Sequence, residues 1–381
     1  MTNPSSLFWE PGKETDRKLT LRLLDSPLRR YINEIGRQLA GEKALPVDWD
    51  WTKSWEENAH AGALPDGKLL YFGRLSIAIF FPFSLLLVYS LGNRILNNTC
   101  GWIAAILFAS NALILLHTRR VMAEGVLVFT VLLFLWSVTS PKKSIFFIGI
   151  TAALAFCAKQ SSGILYLVGI IAIVFNNHDK RGSALSLIPR LISYSVIFIT
   201  AIYILNPYMW KHPIQSNIVA VELRKELLSN QIESLREGRP DLEMDNFAKR
   251  ASTLLVQLFF KQPDIADVGN YLDQTDGISK IYLANPLNHI MRGLTGGAVM
   301  LTLCLYGFLL GIVHITRSRA DQDLRLSLFW ISGVLIFLAF SSVISLPFQR
   351  YYISLIPFVC IWIGYGLGSV LQTLFRRKNS P

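Results

Sequence analysis

The sequence predicts an all-α protein that crosses a membrane many times. Of its 381 residues, 52% are hydrophobic and only 17% are charged, whereas soluble domains carry about 25% charged residues. The apolar residues are grouped in blocks about as long as a helix needs to span hydrocarbon. The net charge of +11 comes mostly from basic residues in short loops between these blocks. That distribution indicates membrane orientation rather than nucleic-acid binding.

Hydropathy predicts about nine spanning helices in a helical bundle. Their approximate bounds are 69–91, 102–116, 121–138, 144–158, 164–175, 187–205, 298–315, 326–346 and 352–371. The chain is predicted to consist of four segments in order. They are an external segment (1–68), six spans (69–205), an external helical loop (206–297), and three spans with a basic tail (298–381).

Basic residues in the short loops predict the orientation of the chain. Placing the tail residues Arg376, Arg377 and Lys378 in the cytoplasm puts further basic residues on the same side at each alternate loop: Arg94, Lys142, Lys143, Lys180, Arg181, Arg190, Arg317, Arg319 and Arg325. Both long polar segments then face outward from a multi-pass protein of the cell membrane. With residues 1–68 outside, the sequence favours a spanning helix upstream of this chain over unaided translocation of the segment.

The external N-terminal segment contains an amphipathic helix. Ser26 suits a helix cap and Pro27 the first helical position, and Gly41 supplies a stop. Between them the apolar residues recur at helical spacing: Leu28, Tyr31, Ile32, Ile35 and Leu39. We expect this helix to lie in the membrane surface, the alternative being a helix packed on a soluble neighbour. The external loop adds two helical patches, near 214–236 and 241–260.

Four basic residues at the external helix ends break the charge pattern. They are Arg119, Arg120, Lys159 and Arg350. Cations gathered on one face predict a shared site for an anion such as a lipid phosphate. The alternative is that each side chain reaches to lipid headgroups separately. Arg74, just inside the first span, faces either the same external cavity or the headgroups.

Acidic residues on the same face are candidates for a general base. Glu124 follows the arginine pair by four or five residues, a spacing that can place it opposite a cation on one helix. It is either a structural partner of those arginines or a group that orients substrate or metal. Asp25, Asp48 and Asp50 are further candidates, although Asp25 also suits the start of a helix. No metal-ligand spacing is present, because the histidines and the four cysteines are scattered.

Taken together, these residues resemble the GT-C family of polyprenyl-phosphate-dependent glycosyltransferases, typified by protein O-mannosyltransferases and lipid A aminoarabinose transferases. The stretch from Asp25 to Gly41 is similar to a helix motif of that family. The remaining motifs follow in the family's order: Gly73-Arg74-Leu75, Gly101-Trp102, Arg119 to Glu124, Phe156 to Lys159, Pro207 to Pro213, and Arg350-Tyr351-Tyr352. The family's first spanning helix and the external acidic motif after it have no counterpart here. The residues Asp25-Ser26-Pro27 also stand where relatives often have His or Lys before Pro-Pro.

The resemblance implies sugar transfer from a polyprenyl-phosphate donor to a lipid, glycan or protein acceptor on the external face, with inversion at the anomeric carbon. Asp25 or Glu124 would be the base. Arg74, Arg119, Arg120, Lys159, Arg350 and Tyr351 would bind the donor phosphate. A divalent metal is the one cofactor left open, with no ligands assigned. The rival hypotheses are a truncated, non-catalytic relative and a transporter or flippase of lipid-linked sugars.

Overall fold

The computed structural model describes residues 8–12, 22–50, 52–141, 144–179, 184–265, 272–317 and 321–378. The regular elements of these residues are helices, and no strand occurs among them. The α-helices are α1 (Pro27–Ala40), α2 (Trp55–His60), α3 (Gly67–Ala78), α4 (Phe80–Ile95), α5 (Asn98–Ser110), α6 (Ala112–His117), α7 (Glu124–Val138), α8 (Ile145–Ala158), α9 (Ile164–Asp179), α10 (Ala184–Leu205), α11 (Pro213–Gly238), α12 (Phe247–Leu255), α13 (Leu272–Ala284), α14 (Gly293–Arg317), α15 (Asp321–Val343) and α16 (Ile356–Lys378). Short 3₁₀ turns occupy Gln160–Gly163, Pro207–Met209, Pro240–Leu242, Pro286–His289 and Gln349–Leu355, and Val256–Phe260 is a π-helical turn.

Each predicted span coincides with helical structure. Within the described part of the chain, five helical stretches are long and apolar enough to cross a membrane: Gly67–Ile95, Leu185–Leu205, Gly293–Arg317, Leu324–Val343 and Gln349–Leu374. The other four predicted spans correspond to shorter apolar helices, at Asn98–Ser110, Glu124–Val138, Ile145–Ala158 and Gln160–Asn176. The fold class, an all-α polytopic membrane protein, is therefore confirmed, and the total of nine spans stays a prediction.

Two of the predicted spans are interrupted for local reasons. The first is divided into α3 and α4 at Ile79. Pro82, in the first turn of α4, has no N–H to donate to the carbonyl of Ala78, so one helical hydrogen bond is missing at this point. The second is divided at Asn111, whose side chain accepts hydrogen bonds from the N–H groups of Leu113 (3.0 Å) and Ile114 (3.3 Å). This cap starts α6 as a separate helix.

The chain forms two compact units. The first unit comprises Met1–Arg29, Thr130–Thr253 and Ser318–Pro347. Within it α8 packs on α10, and α9 packs on α10 and α15. Tyr194 of α10 is fully buried, and its ring stacks on that of Tyr166 of α9 at 5.2 Å. Its hydroxyl donates to the Tyr166 carbonyl at 3.1 Å, so the phenol is satisfied inside the bundle.

The second unit comprises Arg30–Phe129, Leu254–Arg317 and Phe348–Pro381. Its helix α16 is the centre of the packing and contacts α4, α5 and α14. The backbones of α14 and α16 approach so closely that a Cβ added to Gly307 would lie 1.8 Å from the carbonyl oxygen of Trp362. Small residues that allow such approaches are typical of helix packing in membranes.

The amphipathic helix forms as predicted, as α1, and Gly41 ends it with a φ of +69°. One side of α1, with Ile32, Gly36 and Ala40, is buried. Tyr31, Ile35 and Leu39 are 38%, 54% and 62% exposed, so an apolar face is left uncovered by the chain. This arrangement agrees with a helix lying in the membrane surface, which stays a prediction.

The two helical patches of the external loop also form. The first corresponds to α11. The second begins later than predicted, at Phe247, because the Asn246 side chain accepts a hydrogen bond from the Lys249 N–H at 2.9 Å and caps α12 there. Some residues that set the predicted orientation lie outside the described residues, namely Lys142, Lys143, Lys180, Arg181 and Arg319, as do the side chains of Arg376, Arg377 and Lys378.

Candidate functional site

The predicted arginine pair lies on the link between α6 and α7, which is not helical. Arg119 is exposed and has no hydrogen bond or ion pair among the described residues. Arg120 is half-buried, with Nη1 3.4 Å from Nδ1 of His117, and Nη2 donates to the carbonyl of Ile265. Neighbouring arginines therefore have different surroundings, because Arg120 is engaged by its own chain and Arg119 points outward.

Arg350 lies in the 3₁₀ turn that precedes α16 and is half-buried. Its guanidinium carbon is 5.7 Å from the ring centre of Phe348 and 5.4 Å from that of Tyr351, a distance typical of cation–π contacts. The two rings contact each other edge to face at 5.6 Å. Nη1 of Arg350 is 3.9 Å from the sulfur of Met122, on the same link as the arginine pair. Aromatic faces hold the plane of the guanidinium, whose N–H donors project from its edge.

Gln349 fixes the backbone beside Arg350. It is fully buried, and its Oε1 accepts a hydrogen bond from the Asp264 N–H at 2.8 Å. Its Nε2 donates to the carbonyls of Gln262 (2.9 Å) and Lys261 (3.4 Å). We call residues 261–265 the 261–265 loop. Gln349 binds the backbone of this loop at residues 261, 262 and 264, and Arg120 binds it at the Ile265 carbonyl.

Arg292 is the most deeply buried cation of this unit among the described residues, at 3% exposed. Nε and Nη2 donate to the Lys261 carbonyl at 2.9 and 2.7 Å, Nη1 donates to that of Leu258 at 3.0 Å, and Nη2 also donates to that of Gln257. These carbonyls belong to the end of the π-helical turn, which has no continuing helix to bond them. Burial lowers the pKa of Arg292 to about 10, while nearby Tyr282 and Asp264 act in the opposite direction. Arg292 therefore remains charged at neutral pH and holds the 261–265 loop.

Glu124 is buried, at 2% exposed, as the first residue of α7. A carboxylate at this position is favoured by the partial positive charge of the helix N-terminus. The sequence argument placed Glu124 and the arginine pair on one helix, and that premise is wrong because the link between α6 and α7 is not helical. The turn is tight beside it, since a Cβ on Gly125 would lie 2.9 Å from the Thr118 carbonyl oxygen.

The other acidic candidates lie in polar turns. Asp25 forms an ion pair with Arg29, one turn along the start of α1. Asp50 accepts hydrogen bonds from the Thr52 N–H (3.1 Å) and hydroxyl (2.8 Å) and organises the approach to α2. Asp48 is exposed. These contacts give Asp25 and Asp50 local structural roles, and they do not test a catalytic one.

Two further predicted cations have distinct settings. Arg74 is exposed on α3, next to the exposed side chains of Tyr71 and Leu75, a setting that suits contact with lipid headgroups. Lys159 belongs to the first unit, where it ends α8 and is half-buried. The Lys159 carbonyl accepts hydrogen bonds from the N–H (3.0 Å) and hydroxyl (2.9 Å) of Ser162, so the backbone of this residue is fixed by a tight turn.

Sequence reasoning missed Arg292, Gln349 and the 261–265 loop. Gln349 precedes the Arg350 motif directly, which is the one signal that pointed to it. Arg292 lies at the end of a long loop of mixed charge, where nothing distinguishes it from a solvated cation. No group of three or more His, Cys, Asp or Glu side chains suited to a metal ion occurs within the described part of the chain.

Neither a protein-family model nor a curated protein matches the chain. Its structure is similar to an oligosaccharyltransferase, AglB, of the archaeon Archaeoglobus fulgidus, in complex with an inhibitory peptide and a dolichol-phosphate, with a TM-score of 0.50 and 12% identity. It is also similar to an Archaeoglobus fulgidus oligosaccharyltransferase in complex with zinc and sulfate, with a TM-score of 0.51 and 13% identity. Each match covers 93% of this chain but only 48% and 41% of the respective oligosaccharyltransferase. The chain thus spans less than half the length of these proteins, and the likeness is one of fold alone, an all-α helical bundle.

Proposed function

We propose that the chain is a membrane glycosyltransferase that takes a sugar from a polyprenyl-phosphate donor and passes it to an acceptor on the external face of the membrane. The observation that carries the proposal is the setting of Arg350, a guanidinium that lies over two adjacent aromatic rings and beside the link that bears Arg119 and Arg120. The fold likeness to oligosaccharyltransferases, one of them in complex with a dolichol-phosphate, supports the same reading.

In the proposed reaction a hydroxyl or amide of the acceptor attacks the anomeric carbon of the sugar. The bond from that carbon to the phosphate oxygen breaks, and its electron pair stays on the departing lipid phosphate. The proton of the acceptor passes to a carboxylate, for which Asp25 and Glu124 remain the candidates in this chain. Arg350 and Arg119 stabilise the negative charge that grows on the phosphate, because charge-assisted hydrogen bonds strengthen as that charge develops.

The contacts of the other cations lead us to propose separate roles for them. Arg120 donates to the Ile265 carbonyl, so its proposed role is to hold the 261–265 loop beside the site as much as to bind phosphate. Tyr351 is proposed to orient Arg350 through its ring. Lys159 stays a phosphate ligand predicted from the sequence resemblance, and Arg74 is proposed as a residue that meets the headgroups around the donor.

The test is sugar transfer by the full chain, purified from its own membranes and placed in nanodiscs with a total lipid extract of its host. Mass spectrometry follows the loss of sugar from polyprenyl-phosphate donors and the rise of free polyprenyl phosphate. We expect turnover with the native chain, and losses of at least tenfold in Arg350→Ala and Lys159→Ala. Arg317→Ala, which changes an exposed arginine in the last turn of α14, is the matched control.

The same experiment separates the rival functions. A chain that binds polyprenyl phosphate but releases no sugar supports the non-catalytic relative. Movement of lipid-linked sugar between leaflets, measured with a membrane-impermeant glycosidase and unaccompanied by transfer, supports the flippase. Full transfer activity in both Arg350→Ala and Lys159→Ala overturns the assignment of the site.

A further inference from the structure

The strongest unassigned feature of the first unit is the outer face of α11. Three apolar residues of this helix are largely exposed: Ile214 (77%), Ile218 (54%) and Val221 (53%). Their spacing of four and three residues places them on one side of the helix. Beyond Val221 the exposed positions are polar, beginning with Glu222, so the apolar stripe is confined to the first turns.

The opposite face of α11 is covered by the chain itself. Ala220 is 7% exposed and forms a small core with Trp9, Leu23 and Tyr208. The backbone N–H of Trp9 donates to the Tyr208 carbonyl at 3.0 Å. Trp9 and Leu23 of the N-terminal segment therefore pack on the side of α11 that bears Ala220. The apolar stripe lies on the other side, which the chain leaves uncovered.

The apolar stripe follows, along the chain, a helix whose apolar side chains are also left uncovered. In the candidate membrane span Leu185–Leu205, only 11% of the most apolar 18-residue stretch is buried. This span exposes a line of apolar side chains, which are Leu185, Ile188, Ile192, Val196, Ile199 and Tyr203. Trp210, itself 44% exposed, follows that line on the chain and precedes Ile214. The uncovered face of α11 therefore comes shortly after the uncovered apolar face of α10 in the sequence.

Two reciprocal hydrogen bonds tie Trp210, shortly before α11, to the last turn of α10. The indole N–H of Trp210 donates to the Tyr203 carbonyl at 2.6 Å, and the Tyr203 hydroxyl donates to the Trp210 carbonyl at 2.8 Å. Trp210 is thus folded back onto the last turn of α10 rather than carried away from the membrane. Trp and Tyr side chains concentrate at the membrane–water interface, where a ring is buried and its polar atom is satisfied.

We infer that the first turns of α11, from Pro213 to Val221, lie in the outer interface of the phospholipid bilayer with Ile214, Ile218 and Val221 turned toward the acyl chains. The partner of this surface is the bilayer itself. The external loop is then attached to the membrane at its first helix, and the polar remainder of α11 emerges into water. This inference rests on the spanning helix α10 and stands whether or not the chain transfers sugar.

The test places single spin labels along α11 of the full chain in phosphatidylcholine–phosphatidylglycerol nanodiscs. The native cysteines Cys100, Cys157, Cys304 and Cys360 are all buried, so labelling is directed to the introduced site, and a mock reaction on the native chain measures any background. Ile214→Cys, Ile218→Cys and Val221→Cys probe the stripe. Glu222→Cys and Glu226→Cys, exposed on the same helix, are the matched controls.

Power saturation in electron paramagnetic resonance measures how often each spin label collides with a relaxing agent. One agent is oxygen, which concentrates in lipid, and the other is a water-soluble nickel chelate. We expect labels on the stripe to meet oxygen several-fold more often than nickel, and the two control labels to show the reverse. Equal nickel accessibility at residues 218 and 226 would overturn the inference. Spin–spin broadening at residue 218 that vanishes on dilution with unlabelled chain would also overturn it, because a second copy of the chain would then be the partner.

Discussion

Arg292 and Arg350 are two arginines of the same unit in opposite surroundings. Arg292 is almost completely buried, and its donors point at backbone carbonyls of its own chain. Arg350 is half-buried, with aromatic rings against its guanidinium. A guanidinium whose donors are bound by backbone carbonyls stabilises the fold, whereas one that lies over aromatic rings is the arrangement that we propose for binding an anion. The comparison teaches that burial and partner type, rather than residue type, separate a structural cation from a candidate ligand-binding one.

The largest expected effect follows from Arg292→Ala. The change leaves the carbonyls of Gln257, Leu258 and Lys261 without their donor, and each buried unsatisfied group costs about 1–3 kcal/mol. We expect a loss of about 3 kcal/mol or more in the free energy of unfolding. Thermal unfolding in detergent, followed by circular dichroism, measures it. Arg317→Ala is the matched control, and a Tm for Arg292→Ala equal to that of the control would show that Arg292 is not structural.

Gln349→Leu sharpens the comparison, because it loosens the turn beside Arg350 and leaves the guanidinium in place. Three hydrogen bonds to the 261–265 loop are lost, and we expect a cost of about 2 kcal/mol. The affinity for a long-chain polyprenyl phosphate should fall as well, by about threefold to tenfold, since Arg350 is then less firmly oriented. Gln231→Leu, on the exposed side of α11, should change neither quantity. Unchanged affinity in Gln349→Leu would mean that Gln349 does not position Arg350.

Arg119→Ala should affect binding and leave stability intact. Arg119 is exposed and has no ion pair among the described residues, so its removal should change the free energy of unfolding by less than about 0.5 kcal/mol. We expect the affinity for polyprenyl phosphate to fall about tenfold, the usual scale for one charged hydrogen-bond partner. Arg74→Ala, also exposed, should have a smaller effect if Arg74 meets headgroups. Equal losses in the two variants would place Arg74 in the same phosphate site.

The smallest expected effect concerns a half-buried pair on α1. A hydrogen bond from Arg37 lowers the pKa of Glu34. Because the pKa is lower in the folded state, the pair stabilises the protein above the unfolded-state pKa, and this contribution is lost as the pH falls through the folded-state pKa. The pair is solvent-screened, so Glu34→Gln should cost only about 0.3 kcal/mol at pH 7 and nothing near pH 2. A pH series of unfolding curves measures this, and a Glu34→Gln deficit that grows at low pH would reverse the sign.

Much of the fold was predictable, because hydropathy and helix signals are local. All nine apolar blocks coincide with helices, and Pro27 and Gly41 mark the observed bounds of α1. The breaks at Ile79 and Asn111 were missed, since an apolar block hides a proline or a capping amide inside it. The late start of α12 was missed because a single capping asparagine, Asn246, sets it.

The candidate site was predictable only in part. Charges that broke the orientation pattern drew attention to Arg120 and Arg350, which are both bound into one region of the second unit. The helical spacing of Arg119, Arg120 and Glu124 was an unsound guide, because the link between α6 and α7 is irregular. Arg292 could not be singled out, since its role depends on carbonyls that lie about thirty residues earlier in the chain and meet it only in the folded protein.

The most direct test of the account is equilibrium binding of a long-chain polyprenyl phosphate to the full chain in nanodiscs. It compares the native chain with Arg350→Ala, Arg350→Lys and Arg317→Ala, all at equal folded fraction by circular dichroism. The account predicts saturable binding that Arg350→Ala weakens by about tenfold to a hundredfold, that Arg350→Lys restores in part, and that Arg317→Ala leaves unchanged. Equal affinity in Arg350→Ala and the native chain would contradict the claim that the ring-held arginine binds the lipid phosphate.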